Sequence, residues 1–546
     1  MTAADLGYPA GYKAGRFVPL EVLRRDLQRY LDFVKDDEAR QEVLAFLANT
    51  EGQPGDATPD ERTLNDFKRV CVRAGLHLLL ASHGIAHPTY NYFKRFQDDV
   101  RDQGPWDSVP ATWLASTPPI WQLLGVDVSF PIGVPASVLT ATADWIEYYA
   151  RRGFNVLTYK TVRSEQRYAH PAPNWVFLKN LNEPLRPGQP LPESTHGDQL
   201  AWPDDPTAFS MANSFGVPSF GPDAWQTDVK KALACLRSGQ ILIVSVMGTY
   251  EKFTGDAMIE DFVKVASMAK DAGAPAIELN LSCPNTVDPK TGAIKETLIC
   301  ESAEDTAAIV SAVRKAIGDT PLVIKLGYMP RATLEKVVVP LVQNSLIQAV
   351  SGINTIQMTV QREDGSPVFI GTTDDPQKPR MKAGVSGVAI RDYGLQFVRS
   401  LNEIREQHGL KFDIIGMGGV MNADDVDEYR RAGAQAVQTA TAAFFNPDLP
   451  SQIYEKFGGV PVPEVQLEAR GAVLELLAKE GPKPLREIAE EVVAKFFPPD
   501  RALLENTQAI LSHLESKGWV IWERKEGKPV FRATEAQPEE QLEPTL

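Results

Sequence analysis

The sequence is poor in cysteine and in long apolar runs. Its 546 residues include only four cysteines, Cys71, Cys235, Cys283 and Cys300, and no two of them are spaced as CxxC. We therefore expect neither a disulfide framework nor an iron–sulfur or zinc centre. No run of about 18 apolar residues is available to cross a bilayer, and the first residues lack the apolar segment of a secretory signal. These absences predict a cytoplasmic protein without a membrane span.

Positive charge is also scarce. Against 71 Asp and Glu there are only 56 Lys and Arg, a formal net charge of −15. Nucleic acids and anionic membranes attract basic surfaces, so neither is an expected partner. Hydrophobic residues make up 43% of the chain and charged residues 23%, a composition that can bury a large core. At this length we expect two or three domains.

Three regions differ in their residue pattern. Residues 1–124 contain apolar positions that recur every three or four residues, as in 20–48 and 60–84, and this predicts a helical N-terminal extension. Residues 125–450 alternate short apolar runs with amphipathic segments. Residues 464–535 read as a small separate module, and 536–546 as a flexible tail.

The alternation in residues 125–450 predicts an α/β fold, specifically a (β/α)8 TIM barrel. An open doubly wound sheet is the alternative fold, but no GxGxxG motif follows the first strand. The predicted strands are 128–134, 154–160, 241–248, 276–282, 321–327, 352–358, 412–418 and 434–440.

The C-terminal module resembles a winged-helix domain. Three helical stretches, 466–480, 484–497 and 501–518, precede a predicted two-stranded hairpin. Residues 461–546 contain 11 Lys and Arg against 16 Asp and Glu, so the module lacks the basic surface of a DNA reader. A packing or oligomerisation role is therefore favoured.

The ends of the predicted strands carry polar side chains and glycines. Barrel active sites lie at the C-terminal ends of the strands, so these residues should meet on one face. Gly416, Gly418 and Gly419, followed by a helix near Asn422 and by Thr441 at the next strand end, suggest a phosphate site. Lys160 and Lys325 end apolar runs, where an unpaired ammonium is costly unless it faces an anion.

The motif NLSCPN at 280–285 is the most specific signal. Asn280 and Asn285 each offer donors and an acceptor that suit an amide-rich ring such as a pyrimidine. Cys283 lies between them, and a thiol near cationic groups can act as a general base or nucleophile. The other three cysteines lie in helical patterns and are expected to be inert.

With these motifs, residues 128–446 resemble the dihydroorotate dehydrogenase family of FMN-binding barrels, and are also similar to the pyrimidine domain of dihydropyrimidine dehydrogenase. The matching segments are ANSFGVP (212–218), ELNLSCPN (278–285), PLVIKLG (321–327), GVSGVAI (384–390), GMGGVMNADD (416–425) and AGAQAVQTATA (432–442).

The resemblance implies a reaction and a set of site residues. Dihydroorotate would lose its C5 proton to Cys283 and a hydride from C6 to N5 of FMN, giving orotate for pyrimidine biosynthesis. Lys160 is the second catalytic candidate. Ser214 belongs to the segment that binds the substrate carboxylate. The implied substrate-binding residues are Asn213, Phe215, Gly216, Val217, Asn280 and Asn285. The implied FMN-binding residues are Ala136, Ser137, Lys160, Lys325, Gly387, Gly418, Gly419 and Thr441.

Three features depart from the family pattern. The family has an Asn followed by Ser or Thr after strand six, whereas residues 357–361 contain Gln357 and no Asn. Ala440 replaces the glycine that usually precedes Thr441. A proline-rich insertion at 184–206 suggests a lid or a partner surface.

Alternative functions stay open at this point. In the first alternative, the protein is a flavoprotein that acts on another dihydropyrimidine-like ring. In the second, it is a flavin-binding regulator that uses its C-terminal module. A tRNA dihydrouridine synthase is disfavoured because such a protein should be basic. The electron acceptor is also open among NAD through a partner subunit, a quinone, fumarate and oxygen. The expected partner is a small pyrimidine, and a homodimer is a further alternative.

Overall fold

A computed structural model gives the fold of the chain. It describes residues 19–31, 34, 36–54, 59–76, 79–80, 88–90, 121–199, 201, 203, 205, 207–249, 252–282, 286–287, 294–295, 298–456, 464–495, 507, 510–511, 520–525 and 528–533.

The helices alternate with most of the strands. In chain order they are α1 (Leu20–Tyr30), α2 (Asp37–Asn49), α3 (Glu61–Arg73), α4 (Ala143–Arg151), α5 (Pro222–Ala234), α6 (Gly255–Asp271), α7 (Ala303–Ile317), α8 (Arg331–Gln343), α9 (Arg391–Gln407), α10 (Ala423–Arg431), α11 (Thr441–Phe445), α12 (Leu449–Lys456), α13 (Glu464–Glu480) and α14 (Leu485–Glu491). Short 3₁₀ helices lie at Val138–Thr140, Ile299–Glu301, Val388–Ile390 and Val493–Lys495.

The strands are mostly short. In chain order they are β1 (Trp121–Leu123), β2 (Val126–Val128), β3 (Ile132–Val134), β4 (Val156–Val162), β5 (Trp175–Leu178), β6 (Thr195–Asp198), β7 (Ser210–Asn213), β8 (Ile241–Val246), β9 (Ala276–Asn280), β10 (Thr286–Val287), β11 (Ile294–Lys295), β12 (Leu322–Lys325), β13 (Ala349–Gly352), β14 (Ile356–Gln361), β15 (Lys382–Gly387), β16 (Asp413–Met417), β17 (Ala436–Gln438), β18 (Val520–Lys525) and β19 (Lys528–Ala533).

Helices α1 to α3 form part of the N-terminal region. The predicted helical stretch 20–48 is interrupted between α1 and α2, where Asp36 accepts a hydrogen bond from the Ala39 N–H and starts α2 (2.8 Å). Asp60 starts α3 in the same way through the Thr63 N–H (2.8 Å). Such caps satisfy N–H groups that the first helical turn leaves unpaired. The apolar faces of these helices join the same hydrophobic core as the barrel.

Eight parallel strands close into a barrel in the order β3, β4, β8, β9, β12, β13, β16 and β17. This confirms the predicted α/β barrel. Seven of the predicted strands coincide with most of these elements, but the sixth is wrong: β13 covers 349–352, whereas the sequence pattern predicts 352–358 and shares only Gly352 with it. β13 is only four residues long and contains Ser351 and Gly352, so its apolar signal is weak. The alternating sequence of β14 draws the prediction several residues onward.

A hairpin of β1 and β2 closes the N-terminal end of the barrel. Leu123, Leu124 and Val128 pack with the first inward-facing residues of the strands, among them Val156 and Ile241. Asp413 at the start of β16 accepts a hydrogen bond from the Leu124 N–H (2.6 Å). The expected boundary between residues 124 and 125 falls within the turn of this hairpin. Because this end is filled by apolar side chains, ligand access is left to the opposite mouth.

A second sheet, of β5, β6, β7, β14 and β15, stands at that opposite mouth and closes on itself through the pairing of β6 with β14. We call it the cap sheet. Its strands are inserted after β4 and after β13, at the C-terminal ends of barrel strands two and six. The proline-rich insertion at 184–206, predicted as a lid or a partner surface, also contains β6, a strand that the sequence did not predict and that pairs with β5 and β14. The cap sheet thus provides the roof over the barrel mouth.

The C-terminal region has its own small core. Val473, Leu477, Ile488, Val520 and Phe531 are buried together between α13, α14 and the β18–β19 hairpin. The helices at the start and the hairpin at the end follow the predicted order. Most of residues 496–519, and all of 536–546, lie outside the described residues, so the winged-helix assignment stays a prediction. No helix in the described part of the chain is long and apolar enough to cross a membrane.

Candidate active site

A cavity of about 680 Å³ lies between the barrel mouth and the cap sheet. Residues from the ends of barrel strands form its floor and residues of the cap sheet its roof. Cys283 and Asn285 lie outside the described residues. Gly416 lies within β16 and does not line the cavity. The other predicted site residues that the structure describes do line it: Ala136, Ser137, Lys160, Asn213, Ser214, Phe215, Gly216, Val217, Asn280, Lys325, Gly387, Gly418, Gly419 and Thr441.

A bulge in β4 places two consecutive side chains in the cavity. The register between β4 and β8 shifts between Tyr159 and Val162. A regular strand would alternate its side chains across the sheet, whereas a bulge turns an extra residue to the same face. Lys160 and Thr161 therefore both line the cavity. Sequence alternation alone could not have predicted the second of them.

Thr161 belongs to a chain of polar side chains along the floor. Its hydroxyl lies 3.0 Å from that of Ser245 and accepts from the Asn280 amide at 3.3 Å. The Asn280 carbonyl in turn accepts from the Ser282 hydroxyl at 2.9 Å. These bonds fix the orientation of the buried Asn280 amide group next to the cavity.

Asn354 completes this chain and corrects the expectation that no asparagine follows strand six. Since β13 ends at Gly352, Asn354 and Thr355 stand where the resemblance implies an Asn followed by Ser or Thr. Both line the cavity, and the Asn354 amide donates to the Ser282 hydroxyl at 2.7 Å. The window 357–361 misses them because the predicted strand lies too late in the chain. Reading the motif GINT at 352–355 as a strand end would have found them.

Lys325 lies on the floor of the cavity and is 4% exposed. Burial lowers the pKa of its ammonium, and the nearby Glu278 carboxylate offsets part of that effect. Glu278 is itself buried, and one of its oxygens accepts from the Ser351 hydroxyl at 2.8 Å. A buried ammonium at a cavity wall creates a local preference for an anionic group in the cavity.

The other end of the cavity is built from tight backbone turns. Gly418 and Gly419 follow β16, Gly387 ends β15, and the Thr441 hydroxyl donates to the Ser386 hydroxyl at 3.1 Å. The helix expected near Asn422 begins at Ala423, but the Asn422 side chain accepts from two of its first N–H groups. The turn and Thr441, rather than that helix, are therefore the candidate phosphate ligands.

The roof of the cavity contributes the predicted Asn213 and two residues that the sequence did not single out. Asn213 ends β7 and donates through its amide to the Gly384 carbonyl of β15 at 3.2 Å. Trp175 of β5 and Leu191 of the insertion line the cavity beside it. No sequence motif marks these two residues, because their position depends on the pairing of strands far apart in the chain.

Two buried polar atoms in the cavity wall have no hydrogen-bond partner in the described structure. They are the Gln438 side-chain carbonyl and the Trp175 indole N–H. Buried polar groups are nearly always paired, so an acceptor and a donor remain to be satisfied there. A heteroaromatic ring with its own N–H and carbonyl groups suits them, as the flavin implied by the resemblance would. Among the described residues, no cluster of His, Cys, Asp and Glu fits a metal ion.

None of the three described cysteines lines this cavity. Cys71 and Cys300 are buried, and Cys235 follows α5. Burial raises the pKa of the Cys71 and Cys235 thiols, which keeps them in the less reactive protonated form. The expectation that all three described cysteines are inert stays a prediction.

The chain is similar in sequence to known proteins. A family model for dihydroorotate dehydrogenase matches residues 198–460. A dihydroorotate dehydrogenase from Dictyostelium discoideum is 29% identical over 369 residues, which cover 66% of this chain and 95% of that protein. Over these residues the chain is similar to dihydroorotate dehydrogenases.

Bacterial members of the family are similar over a shorter span. The catalytic subunit of dihydroorotate dehydrogenase B (NAD(+)) from Bacteroides thetaiotaomicron is 29% identical over 274 residues, or 50% of this chain and 76% of that protein. The corresponding subunit from Brachyspira hyodysenteriae is 28% identical over 249 residues, or 45% of this chain and 71% of that protein. The family match at 198–460 spans the last cap-sheet strands, from β7 onward, and most of the barrel.

Proposed function

We propose that the protein oxidises dihydroorotate to orotate with FMN as its bound cofactor. The observation that carries the proposal is the convergence of three amide side chains, Asn213, Asn280 and Asn354, with Lys160 and Lys325 in one cavity at the barrel mouth. Amides can pair with both the N–H and the carbonyl groups of a dihydropyrimidine ring. The lysines supply the positive charge that an anionic substrate and a phosphorylated cofactor require.

The presence of Asn354 favours dihydroorotate over another ring. The sequence left the identity of the substrate ring undecided, because the asparagine that the family has after strand six was missing from 357–361. With Asn354 lining the cavity, the implied set of ring-binding amides is restored. The proposal therefore no longer needs Gln357 to substitute for it.

The proposed roles follow the position of each residue. Asn213, Asn280, Asn354 and Asn285 hold the ring, and Cys283 takes the proton from the carbon next to the one that loses the hydride. Gly418, Gly419, Gly387, Ser386 and Thr441 form the phosphate end, with Ala136 and Ser137 nearby. Lys325 and Lys160 stabilise negative charge that develops during the reaction. When bound, FMN supplies the hydride acceptor.

A capped cavity also favours this chemistry. The cap sheet covers the barrel mouth, so water is displaced once both ligands are bound. Electrostatic interactions between the buried Lys325 and a developing anion are stronger in such surroundings than in bulk water. The predictions of a cytoplasmic location and of a homodimer stay as predictions beside this proposal.

Turnover with two related rings tests the proposal. Purified protein is assayed for oxidation of dihydroorotate and of dihydrouracil with an artificial electron-accepting dye, so that the natural acceptor is not needed. We expect orotate to form and dihydrouracil to react far more slowly. Comparable rates with dihydrouracil, or oxidation of neither ring by flavin-loaded protein, would contradict the assignment.

A further inference from the structure

Three arginines and one backbone amide hold the carbonyl oxygens of the loop 214–217. The loop follows β7 and lines the cavity. The bonds run from Arg380 Nη1 to Ser214 O, from the His170 N–H to Phe215 O (3.0 Å), from Arg167 Nε to Gly216 O (3.0 Å) and from Arg163 Nε to Val217 O (3.0 Å).

This arrangement determines where the loop N–H groups point. In a trans peptide the carbonyl and the following N–H point in opposite directions. When the donors hold the carbonyls of residues 214–216, the N–H groups of Phe215, Gly216 and Val217 face the other way. Gly216 and Val217 both have positive φ values, +76° and +47°. Successive N–H groups in a turn of the backbone can form a concave site for an anion.

Gly216 has no room for a side chain at this turn. A Cβ on Gly216 would lie 2.6 Å from the His170 ring. The ring is held in place by Thr373, whose N–H donates to His170 Nδ1 at 3.1 Å. The loop is therefore fixed both by its carbonyl bonds and by the packing behind it.

Arg380 differs from an ordinary structural arginine in its partners. It is 7% exposed, and its guanidinium also donates to the carbonyls of Pro171 (2.9 Å), Pro173 (3.0 Å) and Ile370 (3.3 Å). These acceptors and the ring of Phe369, with its centroid 5.3 Å away, are neutral. Burial lowers the pKa of Arg380 to about 10, so the group still carries its charge at neutral pH.

The positive charge of Arg380 is thus not neutralised by a carboxylate among the residues that the structure describes. Backbone carbonyls stabilise the guanidinium, but they leave its net charge in place. That charge lies directly behind the Ser214 peptide, whose far side presents the Phe215 N–H. An anion bound by the loop N–H groups would therefore feel both the peptide dipoles and the buried cation.

We propose that Arg380 is a positioning residue that makes this site prefer a ring with a carboxylate substituent. It acts through the Ser214 carbonyl and not by touching the substrate. The inference rests on the proposed function, because it assumes that the cavity binds a pyrimidine ring. It adds the residue by which the site distinguishes orotate from the same ring without a carboxylate.

Equilibrium binding of two ligands tests this inference. The dissociation constants of orotate and of uracil are measured by calorimetry on purified wild-type protein and on Arg380→Met. We expect orotate to bind about tenfold to a hundredfold more weakly to the variant, equivalent to about 1.4–2.7 kcal/mol. Uracil, which lacks the carboxylate, should keep its affinity within about twofold.

Arg405→Met provides a matched control. Arg405 is half-buried, and burial lowers its pKa as well. It donates to the Phe412 and Gly433 carbonyls (3.3 and 3.1 Å), which precede β16 and β17 at the opposite end of the barrel. Loss of this arginine should lower stability without changing the ratio of orotate to uracil affinity.

Arg380→Lys keeps the test decisive if Arg380→Met does not fold. Lysine retains the charge but loses the planar fork, so orotate affinity should fall less than in Arg380→Met and uracil affinity should not change. An unchanged ratio of orotate affinity to uracil affinity in the folded variants would overturn the role of Arg380 and leave the proposed function standing. Wild-type protein that binds neither ring would overturn the proposed function together with this inference.

Discussion

Gly419 gives the sharpest test of the phosphate end of the cavity. Its φ is +71°, and a Cβ there would lie 2.6 Å from both the N and the Cα of Arg391 at the start of α9. Both contacts involve backbone, so neither can be relieved by a side-chain rotation. Gly419→Ala therefore has to move the turn after β16 or the start of the helix.

The loss of stability expected for Gly419→Ala has two contributions. The left-handed conformation of a residue with a Cβ costs about 1–2 kcal/mol. Overlap with packed neighbours adds about 1–3 kcal/mol. Gly409 is a matched control, because its φ is +58° and a Cβ on it would meet no atom within 4 Å. Gly409→Ala should show the first contribution alone, and the gain from restricting the unfolded chain is common to both variants.

The assay compares thermal unfolding and flavin content of the two variants. We expect Gly419→Ala to be less stable than Gly409→Ala by about 1–3 kcal/mol. It should also purify with less flavin, because the displaced turn no longer presents its N–H groups to a phosphate. Equal melting temperatures and equal flavin content in the two variants would refute this account of the turn.

Three further predictions address the ring site, the base and the barrel exterior. Asn354→Ala should lower kcat/KM for dihydroorotate about tenfold to a hundredfold at unchanged flavin content, as expected for a lost buried hydrogen bond. The control variant Asn344→Ala, at the exposed end of α8, should keep the wild-type kcat/KM. Equal kinetics for the two variants would exclude Asn354 from the site. Cys283→Ser should lose most of its rate at neutral pH because a serine hydroxyl is a far weaker acid than a thiol, and a variant with full rate would remove Cys283 as the base. Burial raises the pKa of Asp228, whose Oδ2 accepts from the Ala143 N–H and the Tyr159 hydroxyl (both 2.7 Å). As the pH rises, the carboxyl group of Asp228 therefore loses its proton in the unfolded chain at a lower pH than in the folded protein. Wild-type stability falls as the pH rises from about 3.8 through the folded pKa. Over that window, urea titrations at several pH values should show Asp228→Asn gaining stability relative to wild type. A difference between the two proteins that does not change with pH would contradict the sign.

The barrel could be predicted because its strands are buried on both faces. Continuous apolar runs such as ILIVSV in β8 alternate with amphipathic helices, and that pattern identifies a parallel barrel. The same physics explains the failure at β13. Its short AVSG sequence carries little apolar signal, while the neighbouring β14 alternates like a strand with one exposed face. The displaced strand hid Asn354 from the sequence pattern.

The cap sheet could not be predicted from local pattern. β5, β6 and β7 lie between barrel strands β4 and β8, whereas β14 and β15 follow β13, so their pairing joins distant segments of the chain in the register Asn213 to Gly384. Such pairing depends on the closed barrel that brings both insertions to one mouth. The arginine bonds to the loop 214–217 depend in turn on that pairing. Strand-end motifs therefore pointed to the floor of the site, and the resemblance pointed to Asn213 and the loop 214–217 in its roof. Tertiary structure was needed for the strand pairing and for the arginine bonds behind that loop.

An anaerobic visible spectrum of the purified protein, recorded before and after addition of dihydroorotate, tests the central claim most directly. The account predicts the absorption band of an oxidised flavin that bleaches when dihydroorotate is added, because the ring at Asn213, Asn280 and Asn354 then delivers its hydride. A flavin band that dihydroorotate leaves unchanged would contradict the proposed substrate while retaining the cofactor. Protein without any flavin band after reconstitution with FMN would contradict the proposed cofactor.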